Sequence, residues 1–327
     1  GYAILPHIES LFGGDRVEDQ KIRTDFWSLV SELFETRYFG AIQEWCSKYA
    51  VASSGHILWE ESLLYHPALN GNPLRNLQRM DIPGIDVLSS RPANAFGGYA
   101  LTAALAASAA KLNGTRRVMT ETSDFSERMS KSAASLEEMC ATAGWQFALG
   151  ITDFHLYYGR NRETYPRYCE YVGRLGALLT PAERTTKVAL YYPISDLWAN
   201  YLPAGERLSL ESQSETLRTI VRSFSEMNSQ LTREGIEYCL VDHNHLAQAV
   251  LDGKQFTIGK AKFDTLLLPA YGVIPQSAQS SIQKILDASG TVIDSSKDAE
   301  WKDRLQSVVA VEVKSDQPGC LWSRFQR

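Results

Sequence analysis

Four segments of this chain share one design, an apolar stretch that runs out into a polar tip. They are Ala50-Val51-Ala52-Ser53-Ser54-Gly55-His56-Ile57-Leu58-Trp59-Glu60-Glu61, Ile85-Asp86-Val87-Leu88-Ser89-Ser90-Arg91, Arg117-Val118-Met119-Thr120-Glu121-Thr122-Ser123-Asp124-Phe125, and Gly150-Ile151-Thr152-Asp153-Phe154-His155-Leu156-Tyr157-Tyr158. Each reads as a strand entering a loop. Helical stretches separate them. Residues 24–48 carry Phe26, Leu29, Val30, Leu33, Phe34, Tyr38, Ile42 and Trp45 at helical spacing. Residues 101–112 are alanine-rich and stop at Asn113-Gly114. Residues 132–144 form a third. This alternation constrains the first half to a parallel sheet with helices packed outside it. Strands over 52–58, 85–88, 117–120 and 151–154 are expected to be parallel neighbours, with Glu121 and His155 at one edge.

That edge is where the loops of a parallel α/β barrel open. Glu121 is expected where the third strand stops. A carboxylate held there can act as nucleophile or base on a sugar carbon; otherwise it is a structural acid paired with an arginine such as Arg91. Glu60 and Glu61 are adjacent, so on a strand they face opposite sides and at most one lines a cleft. One of them can bind sugar hydroxyls or donate a proton, or the two are a capping or solvated pair. His56 is either a satisfied core histidine or a polar group for sugar hydroxyls. Trp59 either stacks on a sugar ring or packs between strand and helix. Asp153, His155 and Tyr157 alternate along one face of the last strand and give it a polar, ligand-facing tip. Asp124 caps the next helix or orients Glu121. Residues 81–86 read as a loop without chemistry of its own, because Pro83 and Gly84 stand as in a turn. Residues 158–162 read as a solvated basic loop.

The second half changes character near Leu179-Thr180-Pro181-Ala182. Strands are expected at 187–193, 236–242, 263–269 and 290–294, with a long helix over 212–234. The pattern is that of a small doubly wound domain of flavodoxin-like type. Its first strand enters Tyr192-Pro193-Ile194-Ser195-Asp196, without a glycine-rich turn for a pyrophosphate. A structural or assembly role follows. His243 and His245 have a spacing that suits a metal, but no carboxylate or cysteine cluster joins them in sequence, which favours solvated or capping histidines.

A length of 327 residues with 44% hydrophobic content supports two cores. A net charge of −5 without a basic stripe argues against nucleic acid. No apolar run approaches the roughly 20 residues that span a bilayer. Cys46, Cys140, Cys169, Cys239 and Cys320 are scattered and read as buried free thiols. No G-x-S-x-G elbow marks an α/β hydrolase.

Trp45-Cys46, then Ser54-Gly55-His56-Ile57-Leu58-Trp59-Glu60-Glu61, Met80-Asp81-Ile82-Pro83-Gly84-Ile85-Asp86 and Thr120-Glu121-Thr122, resemble the bacterial clan A (β/α)8 glycoside hydrolases. The nearest groups are the α-L-rhamnosidases of family 106 and the β-galactosidases of family 42. The second domain is similar to the flavodoxin-like trimerisation domain of family 42. The resemblance implies that residues 1–182 are barrel strands five to eight, with Glu121 after strand seven as the second catalytic carboxylate. It places strands one to four, and the family's acid/base, before Gly1. Residues 183–307 would be the flavodoxin-like domain. Residues 308–327 would open a further, truncated β-domain. The implied activity is glycoside hydrolysis through paired carboxylates, without cofactor or metal, on a carbohydrate substrate, with no nucleic-acid or membrane partner and with possible homo-oligomers. The alternative is a non-catalytic carbohydrate-binding or assembly protein.

Overall fold

The computed structural model describes residues 1–159, 163–203, 208–308 and 323–326. Four strands form the first sheet in chain order: β1 (Ser54–Gly55), β2 (Ile82–Val87), β3 (Met119–Thr122) and β4 (Asp153–Leu156). All three pairings are parallel. The helix Gly98–Asn113 packs against β2 and buries Ala103, Leu105, Ala106 and Ala109. It ends at Gly114 in the left-handed region, as Asn113-Gly114 suggests. The helix Leu136–Ala148 follows β3 and opens with a Ser135/Glu138 capping box. The result is an α/β fold with a curled parallel sheet, as in part of a (β/α)8 barrel.

Every strand is offset from its expected span. β1 keeps only two paired residues, so Glu60 and Glu61 lie in a turn and not on a strand. β2 begins at Ile82, which makes strand of residues expected as loop. Pro83 sits opposite Gly55, and a Cβ on Gly84 would stand 2.5 Å from the Gly55 carbonyl oxygen and 2.6 Å from Met119 Cε. The Pro-Gly pair therefore serves close strand approach and not a turn. β3 and β4 start two residues late, so Glu121 and His155 lie within their strands.

The second half begins with β5 (Glu183–Arg184), β6 (Val188–Tyr191) and β7 (Tyr238–Val241). An antiparallel meander follows, β8 (Val250–Asp252), β9 (Gln255–Ile258) and β10 (Ala261–Phe263), then β11 (Thr265–Leu268) and β12 (Thr291–Asp294). The parallel sheet runs β7-β6-β11-β12. Fully buried β6 is one of its two inner strands. The helix Glu215–Arg233 buries Leu217, Ile220, Phe224, Met227 and Leu231. The meander was not expected from the sequence. Phe325–Gln326 form β13, antiparallel to β5; residues 309–322, including Cys320, and Arg160 to Arg162 of the basic loop lie outside the described residues.

One continuous core of buried side chains spans both sheets. Ser108 Oγ, on the helix Gly98–Asn113, accepts from Leu240 N of β7 at 2.7 Å. Asn72 Nδ2 donates to Asp242 Oδ2 at 2.6 Å, and Trp198 Nε1 to the Gly71 carbonyl at 2.9 Å. Asp242 caps the short helix His243–Ala247, and His245 Nδ1 lies 2.7 Å from Asp242 Oδ1. His243 packs edge-on to Trp198.

The N-terminal helical arm runs from Val17 to Lys48 as Val17–Leu33, a π-helical Phe34–Phe39 and Gly40–Lys48. Its periodicity matches the expectation but its orientation does not. Asp19, Arg23, Ser31 and Glu35 are buried, whereas Leu29, Leu33, Phe34, Tyr38, Ile42 and Trp45 are exposed. Arg23 accounts for the inward polar face. Its guanidinium donates to the carbonyls of Ser10, Gly13 and Ala199. Glu35 pairs with Arg75 at 2.6 Å and Arg79 at 2.8 Å. Among the described residues, no helix is long and apolar enough to cross a membrane, and Cys46, Cys140, Cys169 and Cys239 are free thiols, with Cys46 and Cys239 buried as expected but Cys140 half-buried and Cys169 exposed.

Candidate active site

Strand alternation builds the site. Along β2, Ile85 and Val87 are fully buried, so Asp86 between them projects to the other face. On β3, buried Thr120 and Thr122 flank Glu121 in the same way. The register then sets Asp86 beside Glu121 and Glu121 beside His155. Three polar side chains thus form a row across three strands, near their C-terminal ends. Asp86, expected to carry no chemistry, belongs to this row. Its signal was its place between two apolar strand residues.

His56 joins the row from the segment after β1. Its Nδ1 lies 2.9 Å from the Ile57 carbonyl, which can only accept, so Nδ1 carries a proton. Nε2 faces Glu121 Oε2 at 3.3 Å. A carboxylate also only accepts, so the His56–Glu121 bond needs the doubly protonated imidazolium. Burial alone would lower the pKa of His56, but the Ile57 carbonyl and then Glu60, Asp86 and Glu121 raise it. Asp86 is raised by burial against the opposing effect of His56, with Glu121 adding to the rise. Donor atoms of His56, Asp86 and Glu121 all lie within 4.8 Å of one another, a spacing at which a divalent cation can be held.

Glu60 and Glu61 part company. Glu61 is exposed, whereas Glu60 is buried and its Oε1 accepts from Asp86 N at 3.3 Å. Burial pushes the Glu60 carboxyl up to about 8, against its own amide, His56 and the Asp86 amide. At neutral pH it is mostly protonated. Trp59, between Leu58 and Glu60, is half-exposed, has φ of 58° and rests on Tyr65 with ring centroids 4.7 Å apart. It is not packed between strand and helix.

His155 and Tyr157 are exposed at the same edge, where Tyr157 N donates to the Thr122 carbonyl. Asp153 is not with them. It stands at the start of β4 and is ion-paired with Arg117, so it belongs to the opposite edge. Arg91 pairs with Glu127 at 3.7 Å and not with Glu121. Asp124 occupies the cap position of the helix Phe125–Met129 without a capping bond, and it pairs with Arg128 at 2.9 Å.

Buried Glu127, which the sequence did not single out, and Tyr158, expected at the start of a solvated loop but buried, fix the loop after β2. Glu127 accepts from Ser89 Oγ at 2.5 Å and from Ser90 N at 3.2 Å, and Tyr158 O–H meets Ser90 Oγ at 2.5 Å. A floor of buried hydrogen bonds thus holds this loop beside the row.

No protein-family model and no curated protein matches the chain. Solved structures do match it in fold. A rhamnosidase from Novosphingobium sp. PP1Y aligns with TM-score 0.57 and 16% identity over 88% of this chain and 28% of its own. Gan42B, a GH42 β-galactosidase from G. stearothermophilus, aligns with TM-score 0.56 and 10% identity over 85% of this chain and 42% of its own. The cold-adapted β-galactosidase from Rahnella sp. R3 gives 0.52 and 12%, over 84% and 41%. The chain thus spans between a quarter and a half of the length of these glycoside hydrolases, and the likeness is one of fold.

Proposed function

We propose that the chain is part of a glycoside hydrolase, comprising strands five to eight of a (β/α)8 barrel and a following flavodoxin-like domain. The observation that carries this is the row Asp86–Glu121–His155, joined by His56, at the C-terminal edge of a parallel sheet. In barrels of this class that edge holds the chemistry. Glu121 acts as the carboxylate that attacks the sugar or activates water. His56, as imidazolium, orients it through their 3.3 Å contact, and Asp86 and His155 contact sugar hydroxyls together with Tyr157 and Trp59. Glu60 is too buried to meet a substrate directly. It sets the charge balance beneath His56 and Asp86 as a neutral carboxyl. The partner acid comes from barrel strand four, which precedes this part of the protein. Two facts support that arrangement: the chain spans only 28% of the rhamnosidase it matches, and the N-terminal arm exposes an apolar face that the rest of a barrel would cover. The parallel order β7-β6-β11-β12 supports the flavodoxin-like reading of the second sheet.

Glu121→Gln in the full-length protein tests the reading. Turnover on a panel of aryl glycosides is expected to fall at least about 100-fold, with sugar affinity by calorimetry largely kept. Near-normal turnover in that variant overturns the assignment.

A further inference from the structure

The second sheet reaches into the candidate site through two fully buried side chains. Tyr192 follows β6 and is tied to it and to β7 by its own N–H, which donates to the Val241 carbonyl at 2.8 Å. Its hydroxyl lies 2.6 Å from His66 Nδ1. His66 Nε2 lies 3.1 Å from the Glu60 carbonyl. The chemistry fixes the direction of both bonds. A carbonyl only accepts, so Nε2 carries the proton; His66, neutral because burial lowers its pKa to about 4, then has a bare Nδ1. Tyr192 therefore donates to His66, and His66 donates to Glu60.

We propose that Tyr192 and His66 are positioning residues, which hold the Trp59–Glu60 turn in its site-forming shape from the second sheet. Three observations converge on this turn. Trp59 has left-handed backbone, which is strained for a non-glycine residue and persists only where surroundings enforce it. The Leu58 carbonyl on one side accepts from Asn70 Nδ2 at 2.8 Å, and the Glu60 carbonyl on the other accepts from His66. Glu60 in turn meets the Asp86 amide. Without the His66 donor, Trp59 can relax, and the Glu60 carboxyl gains water. The inference rests on reading this cleft as the sugar site, and it makes the second sheet part of that site's construction.

The test is a titration of Glu60 in the full chain, by infrared difference spectroscopy, with the band assigned by its loss in Glu60→Gln. The groups facing Glu60 are His56 and Glu61 on its own segment and Asp86 on β2, and all are left intact. In His66→Phe the Glu60 midpoint is expected to fall by about one pH unit or more as water reaches it. Tyr192→Phe, which removes one hydroxyl, gives a smaller fall in the same direction. His66→Gln, whose amide can still donate to the Glu60 carbonyl, keeps the wild-type midpoint. A folded His66→Phe with an unshifted midpoint means that the pair only fills the core, and the proposal fails. If His66→Phe does not fold, Tyr192→Phe decides by the same criterion. No turnover is needed. A shifted midpoint alongside a full-length protein that hydrolyses no glycoside sinks the glycosidase reading alone, and an unshifted one alongside an active full-length enzyme sinks only this proposal.

Discussion

Glu60 gives the sharpest quantitative prediction. In the folded chain its carboxyl is pushed up to about 8, by burial first, from the 4.5 of an unperturbed glutamate. Between those two pH values the folded state keeps a proton that the unfolded chain has released. Folding is therefore favoured by this group below pH 4.5, and the contribution is lost as pH rises through 8. At about 1.4 kcal/mol per pKa unit, the full shift corresponds to at most about 5 kcal/mol. Water penetration and the charge of nearby His56 bring the expected effect to about 2–4 kcal/mol. Glu60→Gln has no proton to lose, and its amide oxygen can still accept from the Asp86 N–H. Urea unfolding of both proteins should give similar stabilities near pH 5, with the variant ahead by about 2–4 kcal/mol near pH 9. Two stability profiles that run parallel from pH 5 to 9 would show that Glu60 is not a buried neutral acid.

Gly84→Ala places a methyl 2.5 Å from the Gly55 backbone oxygen, and β1 must yield. It should cost at least about 2 kcal/mol by urea unfolding, and an unchanged midpoint refutes the close approach. Combining Leu33→Ser, Tyr38→Ser and Trp45→Ser on the exposed arm should lower self-association in light scattering while changing stability by no more than about 1 kcal/mol. A collapse of stability would show that this face is core.

The sheet was legible because its strands carry polar tips, and Glu121 and His155 were found at a shared level for that reason. The offsets have a local cause. Asp153 and Arg117 hold each other across the strand starts, and charged residues at those positions shift the apparent strand toward its apolar stretch. Asp86 stayed hidden behind Pro83-Gly84, a pair that signals a turn unless a neighbouring backbone comes within contact. Periodicity located the N-terminal arm, but it says only which face is apolar and nothing of what lies opposite. Buried Arg23 and Glu35 decided the orientation, through partners far away in sequence. His66 and Tyr192 stand 126 positions apart, and no local pattern joins them.

The bond between Ser108 and Leu240 closes a separation of 132 residues. At a synthesis rate of about 5–20 residues per second, Ser108 is made roughly 7 to 26 seconds before its partner exists. Throughout that interval the helix Gly98–Asn113 has its β2 side covered and its β7 side bare. The early sheet can assemble, but it cannot be finished. A chaperone that shields alanine-rich surface during this delay would act on the nascent chain before the second sheet is made. The yield of folded protein should thus depend on how quickly residues 188–241 follow the first sheet out of the exit tunnel.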